Sequence, residues 1–107
     1  MIGLAMMLAV QDVEPLDDYM TGTVLLAHCS ARDATCTAYI EGVIDLQRTL
    51  DAYGLTKGTF CPSAKLEPGL MADITVRWLR AHPQSQHMGA GPLVVTAVSK
   101  IFPCPKS

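Results

Sequence analysis

The sequence predicts an all-α fold, a small bundle of four main helices stapled by two disulfides. Three observations carry this. Apolar residues recur at three- and four-residue spacing in four separate stretches. No pair of alternating segments exists that would form strands against each other. Four cysteines, an even set, stand in a chain of 107 residues whose core is thin enough to benefit from cross-links.

The first helix begins at a cap formed by Asp17 or Asp18, with Leu16, Met20, Val24 and Ala27 at helical spacing up to Cys29. Residues 30–33 form a polar turn. Thr35 caps the second helix, which runs from Cys36 to about Ala52. Ile40, Val43, Ile44, Gln47 and Leu50 share one face, while Glu41, Asp45, Arg48 and Asp51 look outward. Gly42 in mid-helix costs about 1 kcal/mol relative to alanine, and its expected compensation is a close helix–helix approach. Gly54, Gly58 and Cys61-Pro62 punctuate a loop.

Pro68 opens the third helix beside Glu67. Leu70, Ile74 and Trp78, widened by Met71 and Leu79, form its apolar stripe. Arg77, Arg80 and His82 place cations at its end, and Pro83 stops it. A polar loop covers Gln84 to Gly91. Pro92 opens the fourth helix, with Leu93, Val94, Ala97, Val98 and Ile101 on one face and Phe102-Pro103-Cys104 closing it.

The length suits one helical domain over residues 16–107, preceded by a signal-like apolar segment over residues 1–15. Met1 to Val10 (MIGLAMMLAV) reads like the apolar core of a secretory signal without its cationic start. Either the start lies inside a longer signal, or the stretch is an apolar N-terminal helix. No apolar run reaches the 18 or more residues of a membrane span. Net charge is −2, which argues against nucleic acid as a partner. The charge is uneven: in residues 1–53 eight acids face two arginines, giving −6, whereas residues 54–107 carry +4.

Cys29, Cys36, Cys61 and Cys104 permit three two-bridge connectivities. Zinc sites favour cysteines two to four residues apart, and no such pair exists here, so no metal or other cofactor is expected. Cys29 ends one helix and Cys36 begins the next, so a bridge between them would staple a hairpin. If the third and fourth helices are antiparallel, Cys61 falls near Cys104. The chain-entropy model gives about 2.5 kcal/mol for the first loop and about 4 kcal/mol for the second.

Little points to catalysis. Cys61 or Cys104 with His82 or His87 would be the best nucleophile–base candidates, and oxidation removes them. Glu41 and Asp45, one turn apart, suit a solvated helix face better than an acid–base pair. No glycine-rich phosphate loop follows a strand. The protein is therefore expected not to be an enzyme.

The ordered set Cys36-x-x-Tyr39-Ile40-x-Gly42-Val43-x-Asp45, Cys61-Pro62, Trp78-Leu79-x-x-His82-Pro83 and Leu93-Val94-x-x-Ala97-Val98 into Phe102-Pro103-Cys104 resembles the Rap/Tai family of immunity proteins, over about residues 22–104. The resemblance implies a small, disulfide-stapled, all-helical protein of the bacterial periplasm, commonly a homodimer. It also implies a protein partner, a peptidoglycan amidase effector delivered by type VI secretion, blocked by steric occlusion of its cleft. A helical periplasmic chaperone or stress protein without a toxin partner is the alternative reading, with the three histidines offering a modest acid trigger.

Occluding a cleft needs a protrusion on a rigid scaffold, and two loops offer one. Residues 54–60 hold Phe60 and Lys57 next to Tyr53, an aromatic-plus-cation composition that interface hot spots favour. Residues 84–91 offer Gln84, Gln86 and His87 as hydrogen-bonding groups on a flexible segment. Both loops equally suit ordinary surface connections.

Overall fold

The computed structural model describes residues 19–62 and 66–105. Among these residues four α-helices follow one another: α1 (Gly22–Ser30), α2 (Ala34–Ala52), α3 (Pro68–Ala81) and α4 (Ala90–Ile101), with a short 3-10 turn at Pro83–Ser85. No strand forms among the described residues; the one β-type pairing is an isolated bridge between Thr21 and Gly89. The four-helix, disulfide-stapled prediction therefore holds. The proposed Asp17 or Asp18 cap and the signal-like segment lie outside the described residues.

Thr21, not an aspartate, caps α1: its backbone is extended and its hydroxyl accepts from the Val24 amide at 3.2 Å. Met20 lies ahead of this helix, where its carbonyl accepts from the Ala90 amide at 2.8 Å. That bond satisfies a donor at the start of α4, which otherwise has no side-chain cap. The cap of α2 is Asp33 rather than Thr35, accepting from the Cys36 amide at 3.3 Å. Helix α3 starts at Pro68 as expected. Helix α4 starts two residues before Pro92, whose missing N–H is harmless in the first turn.

All four helices face one core. Leu25 and Cys29 come from α1, Cys36, Ile40 and Ile44 from α2, Met71 and Ile74 from α3, and Ala90, Val94, Ala97 and Val98 from α4. Leu79 and Leu93 are buried as well. Two predicted face residues depart from the core: Leu70 and Ile101 are about half exposed. The stripe on α3 instead runs through Met71, Ile74, Thr75 and Leu79. Trp78 is partly buried against the core and stacks on His82, with ring centroids 4.0 Å apart.

Gly42 is exposed and has nothing within 4 Å of where a β-carbon would stand, so it makes no close approach. That approach occurs at buried Gly22, where a β-carbon would meet the Leu93 side chain at 2.7 Å and the Gln86 carbonyl at 2.9 Å. Periodicity identifies the apolar face of a helix but not which neighbour presses on it.

Both disulfides form as the helix ends suggest. Cys29 bonds to Cys36 across the α1–α2 turn, with Cα atoms 4.8 Å apart. Cys61 bonds to Cys104 with Cα atoms 4.7 Å apart, joining the segment after α2 to the end of α4.

Candidate partner-facing surface

The end of α2 builds the more prominent of the two segments. Tyr53 follows the last helical residue and Gly54 then adopts φ +74°, the left-handed conformation that glycine tolerates. The Gly54 amide donates to the Asp51 carbonyl at 3.1 Å and the Leu55 amide to the Leu50 carbonyl at 2.9 Å. This is a Schellman ending, which turns the chain sharply out of the helix.

Asp51, expected to look outward, instead folds the following residues back onto α2. Its carboxylate accepts from the Thr56 hydroxyl and from the Thr59 amide at 3.0 Å. Gln47 Nε2 donates toward Asp51 Oδ1 at 3.2 Å and Thr59 Oγ1 at 2.9 Å. The Thr56 hydroxyl, then the Thr59 amide, hold the Asp51 carboxyl below its ordinary value of 3.8 despite partial desolvation. A carboxylate in the last turn of a helix opposes the macrodipole. That was the sequence signal, together with the threonines downstream, that Asp51 had another task.

On the far side the Cys61 amide donates to the Phe102 carbonyl at 2.8 Å, beside the Cys61–Cys104 bridge. The segment is thus tied at both ends. It leaves Tyr53 77% and Leu55 71% exposed, with Lys57 also exposed. Phe60, the expected anchor, is only 5% exposed and belongs to the core. It stands one residue before the tether at Cys61. Leu55, not singled out from sequence, takes its place on the surface.

Of the loop expected over residues 84–91, Ala90 and Gly91 belong to α4, and Gln86 and Met88 are hydrogen-bonded to the start of α1. The Gln86 carbonyl accepts from the Thr23 amide at 2.8 Å, and the Met88 carbonyl from the Gly22 amide at 2.9 Å. The Gln86 side chain donates to the Leu79 carbonyl at 2.8 Å. Gln86 is therefore spent on holding α1 against the end of α3, while Gln84 and His87 remain exposed. The two segments do not converge. One is fastened to the end of α4 and the other leads into its start, so the 12 residues of α4 separate them by about 18 Å at 1.5 Å per residue.

The acidic pair Glu41 and Asp45 is exposed and borders a shallow groove with Arg48, Leu66 and Met71. A second groove, of about 550 Å³, lies between the α1–α2 turn and α3, lined by the Cys29–Cys36 bridge, Arg32, Asp33, Ala72, Val76 and Arg80 among others. Asp33 there caps α2 while its Oδ2 lies 2.7 Å from His28 Nδ1, and that bond to His28 holds its carboxyl below the ordinary value. Among the described residues no three His, Cys, Asp or Glu side chains gather as a metal site. All four cysteines are oxidised.

No helix among the described residues is long and apolar enough to cross a membrane. Searches of curated proteins and of solved structures return no match. The family model of Rap1a immunity proteins, in contrast, matches residues 21–104, from the cap of α1 to the last cysteine. That span takes in all four helices and both disulfides, and the chain belongs to the Rap1a immunity protein family.

Proposed function

We propose that this immunity protein neutralises a secreted peptidoglycan amidase in the periplasm by seating residues 53–59 in the enzyme's cleft. The observation that carries the reading is the double tether of this segment, through Asp51 and through Cys61, beneath an exposed Tyr53 and Leu55. An inhibitor that enters a cleft loses affinity to every degree of freedom it must freeze, so a segment already fixed binds more tightly. Tyr53 supplies an aromatic anchor and Lys57 a charge beside it, the composition hot spots favour. Two disulfides suit an oxidising compartment. Oxidised cysteines leave no thiol nucleophile, which supports inhibition by occlusion without chemistry.

The test uses a purified peptidoglycan amidase effector, chosen by screening candidate amidases for binding to this chain. Calorimetric titration against the Tyr53→Ala/Lys57→Ala double variant should show affinity lowered at least about thirtyfold, equivalent to about 2 kcal/mol. Circular dichroism should show the fold unchanged. If affinity falls less than threefold with the fold intact, the contact runs elsewhere, with Gln84 and His87 or the Glu41–Asp45 face as the next surfaces to vary.

A further inference from the structure

The groove beside the Cys29–Cys36 bridge carries charge that its surroundings do not neutralise. Arg32 and Arg80 line it, and Arg77 joins Arg80 and Asp73 in a second hollow contiguous with it. Among the described residues no arginine has a carboxylate within ion-pair distance; the one pair present is His28–Asp33. Among the described residues Arg80 reaches only the Ser30 hydroxyl, at 3.4 Å. Asp33 is engaged by His28 and by the first turn of α2, which leaves Asp73 as the one wall carboxylate without such partners.

Arg32 occupies a position that backbone chemistry reserves for glycine. α1 ends in a Schellman motif: the Arg32 amide donates to the Cys29 carbonyl and the Asp33 amide to the His28 carbonyl, both at 3.2 Å. The residue after the cap must then be left-handed, and Arg32 has φ +56°. A β-carbon is unfavourable there, and the side chain is exposed, so no packing offsets the strain. Strain of this kind collects where a side chain has work outside the fold.

We propose that this groove docks a carboxylate-bearing, partly aliphatic segment of a protein partner, with Arg32 and Arg80 gripping the carboxylates and Ala72, Val76 and the disulfide receiving the aliphatic part. The partner's identity rests on the immunity reading; the groove and its chemistry do not. A nucleic acid fits poorly, because Asp33 and Asp73 lie in the walls and three arginines cannot track a phosphate backbone. Guanidinium forks match isolated carboxylates in two-point geometry.

The test separates folding from docking at one residue. Arg32→Gly relieves the backbone and removes the guanidinium, so melting temperature should rise while binding falls. The probe is a blocked hexapeptide of alternating glutamate and leucine, titrated into the isotopically labelled full chain and followed by amide and arginine side-chain NMR shifts. Saturable shifts should centre on Ala34, Thr37, Ala72 and Val76, with Kd on the order of millimolar for so short a peptide. Arg32→Gly and Arg80→Gln should each weaken binding at least threefold, and Asp73→Asn should strengthen it. A lysine–leucine peptide should shift nothing there. Shifts that map elsewhere, or no saturable shift, overturn the proposal. So do equal shifts from a single-stranded oligonucleotide or from inorganic phosphate. If binding appears only after Asp12, Glu14, Asp17 and Asp18 are changed to their amides, the occupant is this chain's own acidic stretch and the proposal fails.

Discussion

The amide of Thr59 donates to the carboxylate of Asp51 at 3.0 Å, closing eight residues of chain onto the last turn of α2. The bond is strongest while Asp51 is ionised, because a carboxylate oxygen is a better acceptor than a neutral carboxyl. Its carboxyl sits below the ordinary value of 3.8, so the folded state binds the proton less readily than the unfolded chain does. The stabilisation is therefore complete above that ordinary value and is lost as pH falls through the lower folded one. Wild-type protein should lose melting temperature, and Thr59 its exchange protection, below about pH 4. Asp51→Asn should flatten that part of the acid limb, leaving the portion due to Asp33. An unchanged acid limb in Asp51→Asn would show that the carboxylate contributes nothing.

Gly22 makes a second prediction. A β-carbon there would stand 2.9 Å from the Gln86 carbonyl and 3.2 Å from its Cα, and main chain cannot rotate away as a side chain can. Gly22→Ala should therefore cost about 1–3 kcal/mol by overpacking, despite alanine's better helix propensity. Gly42→Ala, with open space around it, should stabilise by up to about 1 kcal/mol. Denaturant unfolding of the two variants checks both signs, and equal effects would mean that the approach at Gly22 relaxes freely.

Thr75 is fully buried in α3 and its hydroxyl has no hydrogen-bond partner among the described residues. Folding strips that hydroxyl of water without replacing the bond, a loss of about 1–3 kcal/mol. Valine has nearly the same shape. Thr75→Val should raise stability by about 1 kcal/mol or more in urea unfolding. A loss of stability would reveal that the hydroxyl is satisfied in solution.

These positions also mark what the sequence could and could not convey. The first bridge was legible because cysteine placement is local: Cys29 and Cys36 flank one short turn, whereas the cap of α2 was misplaced by two positions, at Thr35 instead of Asp33. The stop at Gly54 was legible because left-handed backbone favours glycine. At Arg32 the same backbone carries a side chain, so the motif was invisible. Gly22, Phe60 and Gln86 depend on which helix presses where, and that is decided by tertiary contacts with no local signature. Phe60 looked like a surface anchor because it stands in a polar loop, yet it lies buried in the core, one residue before the tether at Cys61.

The double tether of residues 53–59 yields the last prediction. Asp51 holds the segment from the α2 side, through Thr56 and Thr59, while the Cys61–Cys104 bridge and the Cys61 amide hold it from the α4 side. Replacing both cysteines with alanine removes a cross-link closing a long loop, which should cost about 4 kcal/mol through the unfolded chain. The Asp51 hydrogen bonds are made within residues 47–59, so the Thr59 amide should keep much of its protection against exchange. Asp51→Asn should have the reverse pattern: a small global effect, and fast exchange at Thr59 while the Cys61 amide stays protected. Combining them should free the segment by more than the sum, since each tether limits how far the chain can wander when the other is gone. Hydrogen exchange at these two amides in the single and combined variants measures the coupling. Strict additivity would mean that the tethers act on separate stretches and that Tyr53 and Leu55 are not held by both.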